Sequence, residues 1–144
     1  MTDTLTYEQV KEIVESPTPN TVLIDVRELD DFKLGSIPSS VNMPYNSYPN
    51  ALDLDSEEFN KTFGFAKPSK TENLVIYCAS GFRAKKAQDS SKKAGYTNVL
   101  VYPGSYNEWS SKLDDSSPQE NSLTKLAVFL AVLTIVATFY VKGW

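Results

Sequence analysis

The sequence predicts an α/β domain in which a mainly parallel sheet is covered by helices on both faces. Three short apolar runs, at 22–24, 74–77 and 99–102, are rich in strand-forming residues and are bounded by turn residues. Helix-like segments lie between these runs, and the interval 74–102 has the length expected of a βαβ unit. Buried strands joined by helical crossovers are typical of parallel sheets, and four or five strands are expected.

The first third of the chain predicts a helix, a strand and a short second helix. Thr6 and Gln9 have the spacing of a capping box, and the apolar residues that follow share one helical face, so a helix is expected over 6–15. The run 22–24 is apolar without alternation, which favours a strand buried on both faces. A turn or two of helix is expected over 29–34.

The remaining elements are predicted from similar signals. A short strand is expected at 41–43, and a helix over 56–65 begins at Ser56, a favourable N-cap, and is stopped by Gly64. Gly95 then closes a longer helix that links the second and third strong strands. These later elements are strands at 74–77 and 99–102 and helices at 84–94 and 106–113.

Composition limits the possible classes of function. The 144 residues suffice for one domain of ordinary size and an appendage, and a net charge of −4 without a basic stripe argues against nucleic-acid binding. The chain contains one cysteine and no histidine, which excludes an internal disulfide and a zinc site built from histidine and cysteine. We therefore expect no metal. The lone thiol, and an N-terminus without a secretory signal, indicate a cytosolic domain.

The C-terminal part of the chain differs from the rest. Residues 114–122 have the polar composition of a linker, and residues 126–141 follow without a single charge. As a helix, that uncharged run would be about 24 Å long, close to the roughly 30 Å of a bilayer's hydrocarbon core. We therefore expect a catalytic domain at 1–113 and a single-pass transmembrane anchor at 123–144. Such a tail-anchored protein would hold its catalytic domain in the cytosol, at the endoplasmic reticulum or the outer mitochondrial membrane.

One six-residue stretch, 78–83, carries the chemistry that the sequence predicts. The only cysteine of the chain, Cys78, directly follows a strand and precedes a helix. A loop in that position directs backbone N–H groups and the positive end of a helix dipole at the cysteine. Arg83 adds a positive charge, as do Lys85 and Lys86 one turn later. These groups would favour the thiolate, so we expect a lowered pKa for Cys78 and a reaction that needs no histidine as general base.

Four sequence motifs occur in order along residues 5–113. They are VLIDVRE at 22–28, GSIPSSVNMP at 35–44, LVIYCASGFR at 74–83 and YPGSYNEW at 102–109. Together they resemble the single-domain rhodaneses, or thiosulfate sulfurtransferases, and the small fungal members in particular. The resemblance implies an α/β domain with a central parallel sheet of five strands flanked by helices, and sulfur transfer as the activity.

The resemblance also implies roles for individual residues. Cys78 corresponds to the nucleophile that accepts a sulfur atom from thiosulfate or a persulfide and passes it to a thiol or to cyanide. Asp25 and Arg27 look like a structural polar pair near the active-site loop, and Trp109 looks like a core residue. Neither a metal nor an organic cofactor is implied. The loop residues that would hold the persulfide through their backbone N–H groups, with the last of them closing the loop, are Ala79, Ser80, Gly81, Phe82 and Arg83.

Two other functions fit parts of the sequence. Cysteine-dependent phosphatases and arsenate reductases also use a loop between a cysteine and an arginine, but theirs has five intervening residues and this one has four. A shorter loop forms a smaller cradle, which suits one sulfur atom better than a tetrahedral oxyanion. The other alternative is a non-catalytic, membrane-tethered rhodanese domain that binds a partner, against which the presence of both Cys78 and Arg83 argues. The oligomeric state stays open.

Overall fold

The computed structural model describes residues 3–116, Ala127 and residues 130–132. The strands are β1 (Thr21–Asp25), β2 (Val41–Asn42), β3 (Asn73–Tyr77) and β4 (Asn98–Val101). The helices are α1 (Tyr7–Glu15), α2 (Leu29–Leu34), α3 (Ser56–Phe63), α4 (Phe82–Lys93) and α5 (Ser105–Ser116), with a short 3₁₀ helix at Ala51–Asp53. The strands form one parallel sheet in the order β2-β1-β3-β4. The predicted α/β class with a parallel sheet is therefore confirmed.

The sheet is covered on both faces. Alternate residues of the central strands β1 and β3 point to opposite sides and contribute to two separate cores. One core, shared with α1 and α5, contains the buried residues Val10, Leu23, Val75, Tyr77 and Trp109. The other core, shared with α3 and α4, contains the buried residues Ile24, Phe59, Ile76, Ala84 and Ala87. The apolar, non-alternating runs of the sequence thus correspond to strands that are buried on two sides.

The starts of two helices show how closely local signals determine these elements. The capping box of α1 is present, since Thr6 Oγ1 accepts from the Gln9 N–H at 3.3 Å and the Thr6 N–H donates to Gln9 Oε1 at 2.9 Å. The predicted cap of α3 was one residue late. The side chain of Asp55 accepts from the Glu58 N–H at 2.8 Å, so Asp55 is the N-cap and Ser56 is the first helical residue.

The prediction of five strands is wrong for the part of the chain that the structure describes, where the sheet has four. The N-terminal segment pairs with β4 only at Thr4, which forms a single parallel bridge with Val101. The Leu5 N–H donates to the Val101 carbonyl at 2.8 Å, and the Val101 N–H donates to the Asp3 carbonyl at 2.9 Å. The pairing stops there because Thr6 caps α1 and the chain turns into that helix.

Predictions for the C-terminal part fall mostly outside the described residues. Helix α5 extends to Ser116, so the start of the predicted linker 114–122 is helical. Of the predicted anchor 123–144, the structure describes only Ala127 and residues 130–132. Among the residues described, no helix has the length and apolar character needed to cross a membrane. The transmembrane helix therefore stays a prediction.

Candidate active site

The predicted site lies at the carboxyl ends of β1 and β3. These strands are parallel neighbours, with Asp25 in register with Tyr77. Cys78 follows β3 directly and Asp25 ends β1, so the sheet brings together two residues that are far apart in the sequence. The strand order also reverses here, since β2 lies beside β1 on one side and β4 lies beside β3 on the other. Such a switch point leaves a crevice at the carboxyl ends of the strands, where open α/β sheets bind ligands.

The loop between β3 and α4 wraps around the sulfur of Cys78. Sγ accepts hydrogen bonds from the Gly81 N–H at 3.0 Å and from the Ala84 N–H at 3.4 Å. Gly81 has a φ of +99°, a conformation that residues with side chains rarely adopt. A Cβ at this position would lie 2.7 Å from the carbonyl oxygen of Pro103. Glycine is therefore required both for the turn and for its close approach to the loop after β4.

Ser105 is a site residue that sequence reasoning missed. It is completely buried at the start of α5, and its φ of +56° lies in the left-handed region. Its Oγ accepts from the Cys78 N–H at 3.1 Å, donates to the Tyr102 carbonyl at 2.9 Å and lies 3.9 Å from Cys78 Sγ. The sequence signal for Ser105 was its position in the motif 102–109, which follows the strand next to β3. The prediction assigned a role only to Trp109 of that motif.

The amino end of α5 fixes the cysteine loop from the other side. The Tyr106 N–H donates to the Cys78 carbonyl at 2.9 Å, and the Asn107 N–H donates to the Ala79 carbonyl at 3.0 Å. The first N–H groups of a helix have no partner within the helix, so they are free to bond elsewhere. Here they hold the backbone of the loop, and the loop in turn positions its own N–H groups around the sulfur.

These donors favour the ionised form of Cys78. Burial by itself raises the pKa of the thiol, but the N–H groups of Ala84 and Gly81, the hydroxyl of Ser105 and the N–H of Ser80 together lower the pKa below its ordinary value. The side chain of Cys78 is only 1% exposed. The thiolate is therefore stabilised by fixed dipoles in a site from which bulk water is excluded.

The cationic side chains expected to favour the thiolate are arranged differently from the prediction. Arg83 is half-buried and makes no hydrogen bond or ion pair within the described residues. Lys85 bonds to Gln88 Oε1 at 2.9 Å, and the Lys86 ammonium lies 4.5 Å from the ring centre of Phe82. The causes that lower the pKa of the thiol are backbone and hydroxyl donors instead. The contacts that hold the loop come from α5 and not from Arg83.

Asp25 and Arg27 form a buried ion pair at the carboxyl end of β1. Arg27 Nη2 lies 2.8 Å from Asp25 Oδ2 and donates to the Gly35 carbonyl at 2.6 Å. Burial alone would lower the pKa of Arg27, but the hydrogen bond and the charge of Asp25 raise it above its ordinary value. The guanidinium also stacks 4.1 Å from the ring centre of Tyr106. The pair thus supports the residue whose N–H group holds Cys78, but it has no direct contact with the sulfur in the described structure.

Tyr77, the last residue of β3, is the other buried titratable group near the loop. Its hydroxyl accepts from the Ile37 N–H at 3.1 Å and lies 2.8 Å from Ser40 Oγ. Burial and the charge of Asp25 raise the pKa of this phenol well above its ordinary value. Tyr77 therefore stays neutral and joins β3 to the segment before β2. Within the described residues, no group of acidic or cysteine side chains has the arrangement of a metal site.

Comparison with known proteins finds relatives over most of the chain. Residues 6–112 match the family described as Rhodanese-like domain. The chain is 46% identical over 103 residues to the thiosulfate:glutathione sulfurtransferase of Saccharomyces cerevisiae, an alignment that covers 72% of this chain and 74% of that protein. It is 44% identical over 107 residues to the mitochondrial thiosulfate sulfurtransferase RDL2 of the same yeast, over 74% and 72% of the two proteins. The crystal structure of yeast single-domain sulfurtransferase RDL2 matches with a TM-score of 0.75 and 40% identity, over 81% of this chain and 94% of that chain.

Proposed function

The chain belongs to the rhodanese-like domain family and is an enzyme of the thiosulfate sulfurtransferase type, and on that premise we propose that Cys78 carries the sulfur. The observation that supports this role is the pair of backbone N–H groups, from Gly81 and Ala84, that point at Cys78 Sγ. Donors fixed in this way stabilise a thiolate and also the persulfide anion formed from it. Asp25 and Arg27 would act structurally, because their polar groups bond to each other and to Gly35.

Sulfur transfer through Cys78 would take two displacement steps. The thiolate attacks the outer sulfur of thiosulfate, a new S–S bond forms at Sγ, and the original S–S bond breaks so that sulfite leaves with the electron pair. The acceptor thiolate then attacks the outer sulfur of the persulfide, and the Cys78 thiolate leaves. Neither step moves a proton when both nucleophiles are ionised. A chain without histidine is therefore chemically sufficient for both steps.

The anionic donor would be bound by Arg83 and by the remaining N–H groups of the loop. Arg83 is half-buried at the start of α4, and its guanidinium has no ionic partner within the described residues. A planar cation with unused donors suits the oxygen atoms of a thiosulfate dianion. The loop residues that share this role are Ala79, Ser80, Gly81 and Phe82.

Mass spectrometry of the full chain after treatment with thiosulfate tests the assignment of Cys78. We expect the wild-type chain to gain one sulfur atom and to lose it when a thiol is added, while Cys78→Ser gains none. A wild-type chain that stays unmodified, or a Cys78→Ser chain that is modified equally, would remove Cys78 from this role. Hydrolysis of a phosphate ester by the wild-type chain would instead favour the alternative of a cysteine-dependent phosphatase.

We propose a low-molecular-weight thiol, such as glutathione, as the acceptor in preference to cyanide. The proposal is supported by the relative in Saccharomyces cerevisiae that is named a thiosulfate:glutathione sulfurtransferase. The appropriate measurement compares the rates at which glutathione and cyanide remove sulfur from the loaded chain. A faster reaction with cyanide at equal concentration would contradict the proposal.

A location at a membrane is proposed for the chain on the basis of its sequence. The uncharged run 126–141 is long enough to enter a bilayer, and the catalytic domain would then face the cytosol from the endoplasmic reticulum or the outer mitochondrial membrane. Imaging of a tagged chain with and without residues 123–144 tests this. An identical distribution of the two chains would exclude an anchoring role for these residues.

A further inference from the structure

Helix α4 is unusually basic for this chain, which has a net charge of −4. Two of its five cations are engaged: Lys85 lies 3.5 Å from Asp89 Oδ1, and Lys92 lies 2.7 Å from Asp3 Oδ2. Asp89 is the only acidic residue of the helix. Within the described residues, the cations of α4 without an acidic partner are Arg83, Lys86 and Lys93.

An exposed aromatic residue stands next to one of these free cations. Phe82 is the first residue of α4, and it is 71% exposed, although an isolated phenylalanine usually buries most of its ring. The Lys86 ammonium reaches back over the Phe82 ring, with 4.5 Å between the ammonium nitrogen and the ring centre. Helical side chains lean toward the amino end of their helix, so both groups extend toward the end that holds Cys78. We call Phe82 and Lys86 together the rim pair.

The rim pair lies at the loop that encloses the sulfur of Cys78. Gly81 and Ala84, whose N–H groups bond to Cys78 Sγ, lie one residue before and two residues after Phe82. Because the Cys78 side chain is only 1% exposed, an acceptor reaches the outer sulfur of the persulfide from the mouth of the loop. Only the thiol of the acceptor enters, and the rest of that molecule has to rest on the residues around the mouth.

We propose that the rim pair recognises the acceptor as a small thiol that carries carboxylate groups. The inference rests on the proposed function, since it assigns the second of the two displacement steps. Lys86 supplies the charge that a carboxylate of the acceptor requires, and the flat face of Phe82 supports its carbon chain. The contact between the two side chains holds the ammonium near the mouth before the acceptor arrives, which reduces the ordering that binding requires.

Single-turnover kinetics can isolate this step. The full chain is loaded with thiosulfate, excess donor is removed, and loss of the persulfide is followed after addition of glutathione or glutathione diethyl ester. The ester has the same thiol but no free carboxylate. We expect Lys86→Glu to slow transfer to glutathione about five- to tenfold, the size of effect that reversing one solvent-exposed charge produces, while its rate with the ester falls less than about twofold.

Lys93→Glu is the matched control, because it makes the same charge reversal about two turns further along the same helix, roughly 10 Å away. We expect its rates with both acceptors to equal those of the wild-type chain. Phe82→Ala should slow transfer to both acceptors, because it removes the apolar support that glutathione and its ester share. Lys86→Gln should give an intermediate rate with glutathione.

The loading step separates the possible failures. Each lysine variant should first take up one sulfur atom per chain, which shows that it is folded and that Cys78 is active, and Phe82→Ala is compared only after its loading has been brought to completion. Absence of loading in the wild-type chain would overturn the proposed function. Normal loading followed by equal slowing of Lys86→Glu with glutathione and with the ester, or by no slowing with either, would overturn the role of the rim pair alone.

Discussion

At the scale of one residue, Ser105 contributes to the candidate active site in two ways, through the hydrogen bonds of its hydroxyl and through the turn of its backbone. Its hydroxyl oxygen accepts from the Cys78 N–H, and its single hydrogen has two acceptors within reach, the Tyr102 carbonyl at 2.9 Å and Cys78 Sγ at 3.9 Å. Its left-handed backbone turns the chain from β4 into α5, so that the next two N–H groups meet the cysteine loop. A residue that is completely buried, conformationally strained and bonded to the backbone of the proposed nucleophile is expected to influence the reactivity of Cys78.

Ser105→Ala tests this influence. Without the hydroxyl, one of the groups that lower the pKa of Cys78 is lost, so the pKa should move up toward the ordinary thiol value. The pH at which alkylation reaches half its maximal rate should therefore rise. At any pH below the wild-type midpoint, sulfur loading should slow about three- to tenfold, the effect of one hydrogen bond. The midpoint of the pH profile is the decisive measurement, since burial of the sulfur limits the absolute rate of alkylation in every variant.

Ser110→Ala provides the comparison, because the Ser110 hydroxyl bonds only locally, to the Asn107 carbonyl of the same helix. This variant should keep the wild-type midpoint. Ser105→Gly should share the shifted midpoint of Ser105→Ala while relieving the strain of the left-handed backbone. A midpoint that Ser105→Ala leaves unchanged would show that the hydroxyl does not act on the thiolate.

Gly81→Ala should damage both stability and activity. The alanine Cβ would meet the Pro103 carbonyl in a conformation with positive φ, so the loop must shift away from the sulfur. We expect the free energy of unfolding to fall by about 1–3 kcal/mol and sulfur loading to be lost or strongly slowed. Gly64→Ala is the control, since Gly64 has a φ of +77° but open space around it. Gly64→Ala should lose only the stability that a side chain costs in a conformation with positive φ, and it should keep its loading rate. Equal loading rates for Gly81→Ala and Gly64→Ala would contradict the geometry described for the loop.

At the scale of elements, the ion pair of Asp25 and Arg27 links the end of β1 to the segment after α2 and to α5. Arg27 bonds to Gly35 and stacks on Tyr106, while Asp25 is completely buried. The carboxylate depends on its partner, because a buried charge without compensation is costly. The contact between this pair and the cysteine loop is made through Tyr106, whose N–H group bonds to the Cys78 carbonyl.

Arg27→Ala should therefore lower the free energy of unfolding by about 3–5 kcal/mol, because it leaves the Asp25 carboxylate buried and unpaired. Urea denaturation measures the loss, and a double variant that also replaces Asp25 with alanine should recover part of it. Lys61→Ala, which removes an exposed pair with Glu57, should cost less than about 1 kcal/mol. An Arg27→Ala chain of normal stability that cannot be loaded with sulfur would mean that Arg27 acts in the chemistry.

The elements themselves were largely predictable from the sequence because their signals are local. Apolar runs identified the strands β1, β3 and β4, and Thr6 with Gln9 identified the start of α1. The patterns in the sequence located the four strands that the structure shows. The fifth strand implied by the resemblance is not found in the described residues, where Thr4 forms only a single bridge with β4. The position of the cysteine loop between β3 and α4 followed from the order of the elements.

The contacts of the site depend on tertiary structure, and for that reason the sequence indicated them only in part. Ser105 and Cys78 are 27 positions apart, and their hydrogen bond exists because β3 and β4 are neighbours. Charged residues are identified directly from the sequence. Every residue except proline has a backbone N–H group, so the sequence alone does not show which of these groups point at the sulfur. The sequence therefore predicted the direction of the Cys78 pKa shift correctly, but the prediction attributed the shift to Arg83, Lys85 and Lys86 as well as to the N–H groups.

At the scale of the whole molecule, the charges of the surface and the stabilisation of the thiolate are separate. The chain is negative, with a net charge of −4, and five of its 14 lysine and arginine residues lie on α4. The groups that favour the Cys78 thiolate are instead dipoles enclosed by the loop and by the amino end of α5. Salt screens exposed charges strongly and enclosed groups weakly.

Raising the salt concentration from about 0.05 M to 0.5 M should therefore leave the midpoint of Cys78 alkylation nearly unchanged. The Debye length falls roughly threefold over this range, enough to weaken any contribution from exposed lysines. The measurement is a pair of pH profiles at the two concentrations, with a free cysteine peptide as the reference for intrinsic salt effects. A midpoint that rises with salt, relative to this peptide, would show that the cations of α4 do help to ionise the thiol.

The near-complete burial of the only cysteine also determines which oxidants can react with it. A bulky disulfide cannot bring its sulfur atoms up to Sγ while the loop surrounds it, so the empty enzyme should resist mixed disulfides. A molecule as small as hydrogen peroxide has no such barrier, and the thiolate would be converted to a sulfenic acid. With no second cysteine in the chain to resolve that product as an internal disulfide, recovery depends on an external thiol small enough to enter by the route of the sulfur acceptor. The same enclosure that selects the reactants of sulfur transfer thus also decides which form of oxidative damage the enzyme sustains.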